Sequence, residues 1–301
     1  MAGVTSRRLN GAVLLVAPFV LVFAVFGVFP LLYTAWMSVR RWHLIDGDHG
    51  FVGLANYARL FADPDFYHAL GNTVCILVVA TAVQMVLSLW LAVLLDRATR
   101  GRALWCSVAL LPNVVPAVAV ALIFAQLFGR DYGVVNWLLK LVGAGPVNWQ
   151  AHSWSAYLGV AAMVVWRWTG YNALLCLAAM QTVPRELVEA AQLDGASRWR
   201  VFRSVTLPLI RPTVSFTLLM SVVGGLQVFT EPQLFDVAGL SGTGGNDRQF
   251  QTVVMYLYEQ GFGRWDAGYA ATVSWSLFLL CAAFGVVNAF VFRRPRSGAG
   301  P

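Results

Sequence analysis

The sequence predicts an all-α integral membrane protein with six transmembrane helices, and three observations lead to that fold class. Hydrophobic residues make up 58% of the chain and charged residues only 12%, whereas soluble domains average about 45–50% and about 25%. The apolar residues form blocks of about 20 or more, the length that crosses a bilayer as a helix. These blocks show no period-2 alternation, and a bilayer interior accepts only helices or closed barrels, so each block is interpreted as a helix.

The predicted organisation is a short terminus at residues 1–10, a transmembrane domain at 11–292 and a tail at 293–301. Span one, at 11–39, is too long for a signal peptide and no small-residue cleavage site closes it, so it is predicted to be an anchor. Span three, at 103–128, holds Pro112 and Pro116, which should kink it. The other spans are predicted at 68–95, 154–180, 213–235 and 267–292, with an amphipathic helix at 134–142 and a surface segment at 52–57.

The basic residues predict how the chain is oriented. Thirteen of the 21 fall on the side that holds both termini and the polar loop 184–212, seven fall in longer loops on the other side, and Arg167 lies within a span. The positive-inside rule therefore places both termini and the 184–212 loop in the cytoplasm. The outer loop at 242–247 is expected to be accessible to an external protein.

Several function classes are excluded by what the chain lacks. The net charge of +7 comes from arginines spread over short loops, which indicates membrane orientation and no nucleic-acid partner. The sequence has no P-loop, no HExxH motif and no paired acid and base within a span, so no catalytic residue and no metal site are predicted. Its four cysteines each lie in an apolar block without CxxC spacing, so neither a disulfide nor a zinc site is expected.

The loop at 184–212 has the features of a docking element. Pro184 suits the first turn of a helix, acidic residues favour its positive end, and Gly195 should stop it. Ser197 can cap a second helical piece, which Pro208 should break. Small side chains at Ala190 and Ala191 would let another surface approach closely. The alternative is a helical connector with no partner.

The same loop resembles the cytoplasmic signature of importer-type ABC-transporter permeases. Glu189-Ala190-Ala191 is followed after three residues by Gly195 and after nine more by a Val-x-Leu-Pro segment. Three stretches of the chain also resemble binding-protein-dependent sugar permeases of the maltose and glycerol-phosphate types. They are FVGLANYARLF, LLPNVVPAVAVALIF and QTVPRELVEAAQLDGASRW. The segment GGLQVFTEP and the one that begins DRQFQTVV look similar to β-glucoside or cellobiose permeases.

This resemblance implies a type I importer fold with a coupling helix that sits on a separate ATPase. The residues implied in coupling are Glu189, Ala190, Ala191, Asp194, Gly195, Leu207 and Pro208. The implied partners are a second homologous permease, an ABC ATPase dimer that binds ATP and Mg, an extracytoplasmic solute-binding protein, a sugar substrate and the lipid bilayer of a prokaryotic plasma membrane. No cofactor is expected on this chain.

Two apolar spans carry polar residues that suit sugar contacts. Arg167, Trp168, Tyr171 and Asn172 fall on one helical arc, where hydrogen-bonding groups lie beside aromatic rings, while Trp166 points away. The resemblance also places pocket residues on this helix. In the next span Ser221, Gly225, Gln227 and Glu231 lie on or beside one stripe. The alternatives are an Arg167 salt bridge between helices, close packing at the glycines, a solvated Glu231, and pairing of Arg167 with Glu231.

The predicted function is therefore a permease subunit of an ATP-driven sugar importer, and two alternatives remain. A glycerol-phosphate substrate would need several cations at the pocket, and the spans offer Arg167 alone. A self-contained secondary carrier or channel should show internal repeats or ionisable residues paired across several spans.

Overall fold

Long apolar helices dominate the computed structural model, which describes residues 15–98, 100–236, 243–245 and 247–292. The predicted terminus at 1–10 and tail at 293–301, with the arginines that they contribute to the orientation, lie outside the described residues. Part of the predicted outer loop at 242–247 lies outside them as well.

Five helices in the described part of the chain are long and apolar enough to cross a membrane. They are α1 (Leu15–Ser38), α3 (Pro64–Arg97), α7 (Ser153–Met180), α9 (Arg198–Leu226) and α12 (Ala267–Phe292). The predicted spans at 68–95, 154–180 and 267–292 match three of them closely. A sixth span is obtained if the bent pair α4 (Arg102–Val114) and α5 (Ala117–Leu127) is counted as one.

The two halves of this sixth span meet at 88°, which is far more than the predicted kink. Pro112 lies inside α4, and the break falls at Val115, whose ψ of 133° is extended. Pro116 is the cause, because a proline forces the residue before it out of the helical region and cannot donate to the preceding turn. A bend at these prolines was predicted for 103–128, but the structure replaces the kinked helix with two helices that are separated at 115–116.

Helix α9 also departs from the prediction, because it runs through Pro208 and Pro212 where a break at Pro208 was expected. Residues Phe202–Thr206 form a π turn in which the Leu207 N–H bonds to the Phe202 carbonyl. This wider turn lets the helix continue into a proline, whose missing N–H would otherwise interrupt the ladder. The helix ends at Leu226, nine residues before the predicted end of span five at residue 235.

Shorter elements connect the long helices. They are β1 (Arg40–His43), β2 (Gly47–Phe51), α2 (Ala55–Phe61), α6 (Val134–Leu141), α8 (Arg185–Leu193), α10 (Thr230–Phe235) and α11 (Val253–Tyr258). The predicted amphipathic helix at 134–142 is confirmed as α6. The hairpin of β1 and β2 was not predicted, although Asp46-Gly47 is a hairpin-turn signal and Gly47 adopts a φ of +83°.

One compact unit contains the described residues up to Asp63 and residues Leu257–Ser276. An ion pair of 2.7 Å joins Arg59 to Asp266, and the Arg59 guanidinium lies 3.9 Å from the centre of the Tyr269 ring. The Thr272 hydroxyl donates to the Ser38 carbonyl at 3.0 Å. These contacts fasten the hairpin region to the start of α12.

The second unit contains the described residues of Pro64–Tyr256 and Leu277–Phe292, and its centre is the packing of α3 against α7. The Ser88 hydroxyl of α3 donates to the Thr169 carbonyl of α7 at 3.0 Å. Gly170 lets α4 approach α7 so closely that an added Cβ would lie 1.7 Å from the Ala109 carbonyl oxygen. Small residues at such contacts are typical of helix packing in membranes, where backbones must come together.

The surface of the long helices confirms the membrane class. Large apolar side chains such as Val86, Phe26 and Leu15 are 68%, 78% and 85% exposed. Contiguous exposed apolar area of this extent marks a lipid-facing surface. The protein is therefore a multi-pass helical membrane protein.

Candidate transport cavity and coupling helix

A cavity of about 230 Å³ lies between α7, α9 and the start of α10. Both sets of predicted substrate-contact residues line it, although they come from two helices separated by the 184–212 loop. The lining residues that the sequence singled out are Arg167, Trp168, Tyr171, Asn172, Ser221, Gly225, Gln227 and Glu231. The structure thus brings all eight together around one space. Substrate contact by any of them stays a prediction.

The charged residues of this cavity form an ion pair. The Arg167 Nη1 lies 2.5 Å from Glu231 Oε1, and their side chains are only 15% and 7% exposed. Of the alternatives left open by the sequence, pairing is therefore the one observed, and a Glu231 solvated at the interface is wrong. The reason is the early end of α9, after which residues 227–229 leave the helix and Glu231 lies in the first turn of the buried α10.

Two aromatic rings give the cavity an apolar side. Trp168 and Tyr171 contact each other edge to face, with ring centres 5.9 Å apart and an interplanar angle of 83°. They are 38% and 37% exposed, so their faces are available to a ligand. Trp166 lies on another face of α7, as predicted, and packs against Phe124 beside a separate apolar cavity. A ligand with both hydroxyls and C–H faces suits this combination of rings and polar groups.

Hydrogen bonding ties the two helices together at the cavity wall. The Asn172 amide nitrogen donates to the Ser221 hydroxyl at 3.0 Å, and Asn172 is buried. Gln227, just past the end of α9, is exposed to the cavity. Asn172 and Ser221 therefore already satisfy part of each other's hydrogen-bonding capacity.

The two neighbouring glycines of α9 have different surroundings. A Cβ on Gly225 would lie 2.4 Å from the Leu77 Cδ1 of α3, so this glycine serves close helix packing as well as lining the cavity. A Cβ on Gly224 would meet nothing within 4 Å. Gly224 therefore keeps the cavity open, a role that the sequence could not separate from that of Gly225.

Sequence reasoning gave little weight to some residues that line the cavity. Gln84 of α3 is buried and lines it, Phe229 lines it from the segment between α9 and α10, and Thr230 lines it as the first residue of α10. An amide inside an apolar span was the available signal for Gln84. The other two were placed in a continuous span five, where their side chains were not assigned to the site.

The 184–212 loop begins with an exposed helix, α8, that ends at Leu193, two residues before the predicted stop at Gly195. Glu189, Ala190, Asp194 and Gly195 are exposed and Ala191 is half-buried. Gly195 has a φ of +77°, and the Ala196 N–H bonds to the Ala191 carbonyl at 3.0 Å. This left-handed residue with its 6→1 bond is a Schellman ending, which glycine adopts without steric cost.

The chain re-enters the membrane region directly after this helix. The Ser197 side chain accepts from the Arg200 N–H at 3.4 Å and so caps α9, as predicted for this position. Leu207 packs against buried residues of α3 and α7, and Pro208 lies exposed on α9. Exposed residues therefore continue from α8 and its Gly195 ending into the first turns of α9.

Within the described residues, no group of three or more His, Cys, Asp or Glu side chains is placed to hold a metal ion. What the arrangement offers is a small cavity lined by polar and aromatic groups and an exposed connecting helix. Spanning helices around such a cavity are typical of a membrane transport permease.

The chain belongs to the family described as the inner membrane component of binding-protein-dependent transport systems, and the family model matches residues 84–297. This membership confirms the predicted class, an importer-type ABC permease.

Individual relatives cover nearly the whole chain. The arabinooligosaccharides transport system permease protein of Halalkalibacterium halodurans is 33% identical over 92% of this chain and 86% of its own length. The trehalose/maltose transport system permease protein of Thermococcus litoralis is 31% identical over 93% of this chain and 94% of its own.

A solved structure shares the fold. The chain is similar to one in the crystal structure of a bacterial alginate ABC transporter in complex with an alginate pentasaccharide-bound periplasmic protein, with a TM-score of 0.80. The match covers 98% of this chain and 97% of that one at 21% identity. It supports the predicted type I importer fold.

Proposed function

We propose that this chain is one of two membrane subunits of an ATP-driven importer that carries a neutral saccharide delivered by an external binding protein. Its relatives are named for the transport of arabinooligosaccharides and of trehalose and maltose. The observation that carries the proposal is the cavity in which Trp168 and Tyr171 face the polar groups of α7 and α9.

The cavity favours a neutral ligand over a phosphate. Its only charged lining residues, all of them in the described part of the chain, are Arg167 and Glu231, and they neutralise each other. A phosphate needs several charge-assisted hydrogen bonds, and drawing Arg167 away from Glu231 would leave a buried carboxylate without its counter-ion. This balance argues against the glycerol-phosphate alternative.

The second part of the proposal concerns energy coupling. The exposed helix α8, with Glu189, Ala190, Ala191, Asp194 and Gly195, would seat in a cleft of one subunit of an ABC ATPase dimer. Leu207 and Pro208 would support it at the base of α9. ATP and Mg would be bound by the ATPase dimer and no cofactor by this chain.

The assembly and its location follow from the same reasoning. A second homologous permease would complete the translocation pathway, and an extracytoplasmic solute-binding protein would deliver the sugar. The chain would lie in the plasma membrane of a prokaryote, with both termini and α8 in the cytoplasm, as the arginine distribution predicts. A self-contained carrier would instead work without ATP.

Sugar uptake by the reconstituted transporter tests the proposal. Two tryptophans of α7, one inside and one outside the cavity, provide a matched pair of variants. Trp168→Ala should lower sugar uptake by about ten-fold or more, which corresponds to about 1.4 kcal/mol of lost binding. Trp166→Ala, outside the cavity, should transport nearly as wild type. ATP must be required in both.

Two results would refute the proposal. Uptake that is unchanged in the combined Trp168→Ala and Tyr171→Ala variant would remove the cavity from the pathway. Uptake driven by an ion gradient without ATP would favour the secondary carrier.

A further inference from the structure

A second cavity, of about 620 Å³, lies between the end of α3 and the start of α9, away from the transport cavity. Its walls are almost entirely apolar. The lining residues are Val86, Leu89, Trp90, Val93, Leu94 and Arg97 from α3 and Arg198, Trp199, Phe202 and Leu207 from α9. We call this space the α3–α9 groove.

Two arginines stand in this groove without a counter-ion. Arg97 is the last residue of α3 and Arg198 is the first of α9. Neither makes an ion pair with any residue that the structure describes. The neighbouring carboxylate of Asp96 lies 3.8 Å from Arg102 and lines an adjacent cavity that Arg97 and Arg198 also border, without forming an ion pair with either. Two unneutralised guanidinium groups beside one space attract an anion.

The other residues of the groove follow the order expected at a membrane surface, with tryptophans near the arginines and aliphatic side chains toward the hydrocarbon region. Trp90 lies about two helical turns before Arg97 on α3 and is 61% exposed; Trp199 follows Arg198 directly and is 69% exposed. The Trp199 ring stacks on Phe202 with centres 5.7 Å apart. Tryptophans at the headgroup level, with arginines outside them and leucines and valines inside, are the pattern of a bilayer surface.

We propose that the α3–α9 groove binds an anionic phospholipid, with the headgroup phosphate between Arg97 and Arg198 and an acyl chain along the apolar wall. Basic pockets between transmembrane helices are suited to such headgroups. The two arginines favour an occupant that carries negative charge over a purely apolar one. The long apolar wall would stay uncovered if only a small free anion were bound. The lipid would link the end of α3 to the first residue of α9, three residues after Gly195.

The proposal concerns a site separate from sugar recognition, and lipid binding to the assembled transporter tests it. Phosphatidylglycerol and phosphatidylcholine with identical acyl chains are titrated onto the purified complex, and bound lipid is counted by native mass spectrometry. Each arginine near an anionic headgroup contributes about 1 kcal/mol, or about five-fold. The double variant Arg97→Gln/Arg198→Gln should therefore lose about 30-fold in phosphatidylglycerol affinity.

The matched control removes the same charge from the same region. Arg200 and Arg203 lie in the same stretch of α9 and do not line the groove. Arg200→Gln/Arg203→Gln should keep the wild-type affinity for phosphatidylglycerol to within about five-fold, the contribution expected of a single arginine. Arg97→Lys/Arg198→Lys should restore most of the preference for phosphatidylglycerol.

A second measurement places the lipid. Phosphatidylglycerol with brominated acyl chains should quench tryptophan fluorescence in the wild-type complex more than in Trp199→Phe, and inorganic phosphate should not displace the lipid. Equal losses in both double variants would show a diffuse surface potential and overturn the site. Absence of Trp199 quenching would overturn the lipid site, because it would mean that a protein partner covers the groove. Displacement of the lipid by inorganic phosphate would also overturn the lipid site.

Discussion

Replacing Glu231 with leucine would strand the guanidinium of Arg167, which is only 15% exposed, beside apolar neighbours. Removing one partner of a buried ion pair costs about 3–5 kcal/mol because the other charge remains desolvated. The pair borders a cavity that can admit water, so about 3 kcal/mol, the lower end, is expected for Glu231→Leu and for Arg167→Met. The double variant should lie within about 1 kcal/mol of wild type, because no charge is left buried.

The free energy of unfolding, measured in mixed micelles for all four proteins, gives the coupling between the two residues. The expected losses of about 3 kcal/mol for each single variant and at most about 1 kcal/mol for the double variant imply a coupling of about 5 kcal/mol. Glu231→Gln keeps a hydrogen-bond acceptor for Arg167 and should cost less than Glu231→Leu, about 1–2 kcal/mol. Strictly additive losses would contradict the reasoning, since they would mean that the two charges do not compensate each other.

Sugar uptake by the same four proteins separates a structural pair from one that contacts substrate. A double variant that regains stability and uptake together would show that the pair only holds α10 against α7. Recovery of stability without recovery of uptake would show that the charged groups themselves are used in transport.

Further substitutions test features of the helices. Gly195→Val should weaken the end of α8 by about 1–2 kcal/mol, because a β-branched residue resists the left-handed φ of +77°. Gly195→Asn should be tolerated, because asparagine adopts this conformation more readily. The stimulation of ATPase activity by the liganded binding protein, measured for both variants, reports the difference. Gly195→Asp should abolish that stimulation and transport while the subunit still inserts, which uptake and membrane-fraction assays check. Gly170→Ala should prevent folding, since the added Cβ would lie 1.7 Å from a backbone oxygen. Gly224→Ala should fold normally and reduce sugar uptake by narrowing the cavity. The yield of folded complex distinguishes these two variants. Ser215→Ala should cost about 0.6 kcal/mol through the lost hydrogen bond to Asn288, measured as unfolding free energy with Asn288→Ala as the partner of a double-mutant cycle.

Helical periodicity was sufficient to find most of the transport cavity. Arg167, Trp168 and Tyr171 share an arc that follows from 100° per residue, and the structure places that arc on one space. The spans themselves follow from the length of the apolar blocks. Both results rest on local geometry, which the sequence carries directly.

The departures come from effects that depend on neighbouring segments. Pro116 predicts a bend, but the angle of 88° depends on what α5 packs against. Pro208 predicts a break, but the π turn at Phe202–Thr206 absorbs the missing donor. The burial of Glu231 depends on where α9 ends and on the chain reversal that follows. None of these is fixed by the periodicity of a single helix.

Helix α9 runs without a break between the two ends of the proposed mechanism. Twenty-three residues separate Arg198, beside the Gly195 ending, from Ser221 at the cavity, and at 1.5 Å per residue this is about 35 Å. A tilt of about 10° around its midpoint would move each end by about 3 Å in opposite directions. Such a tilt would carry movement at the coupling end to the cavity end, and the π turn at Phe202–Thr206, just before Pro208, is where the bending stiffness of this helix can be tuned.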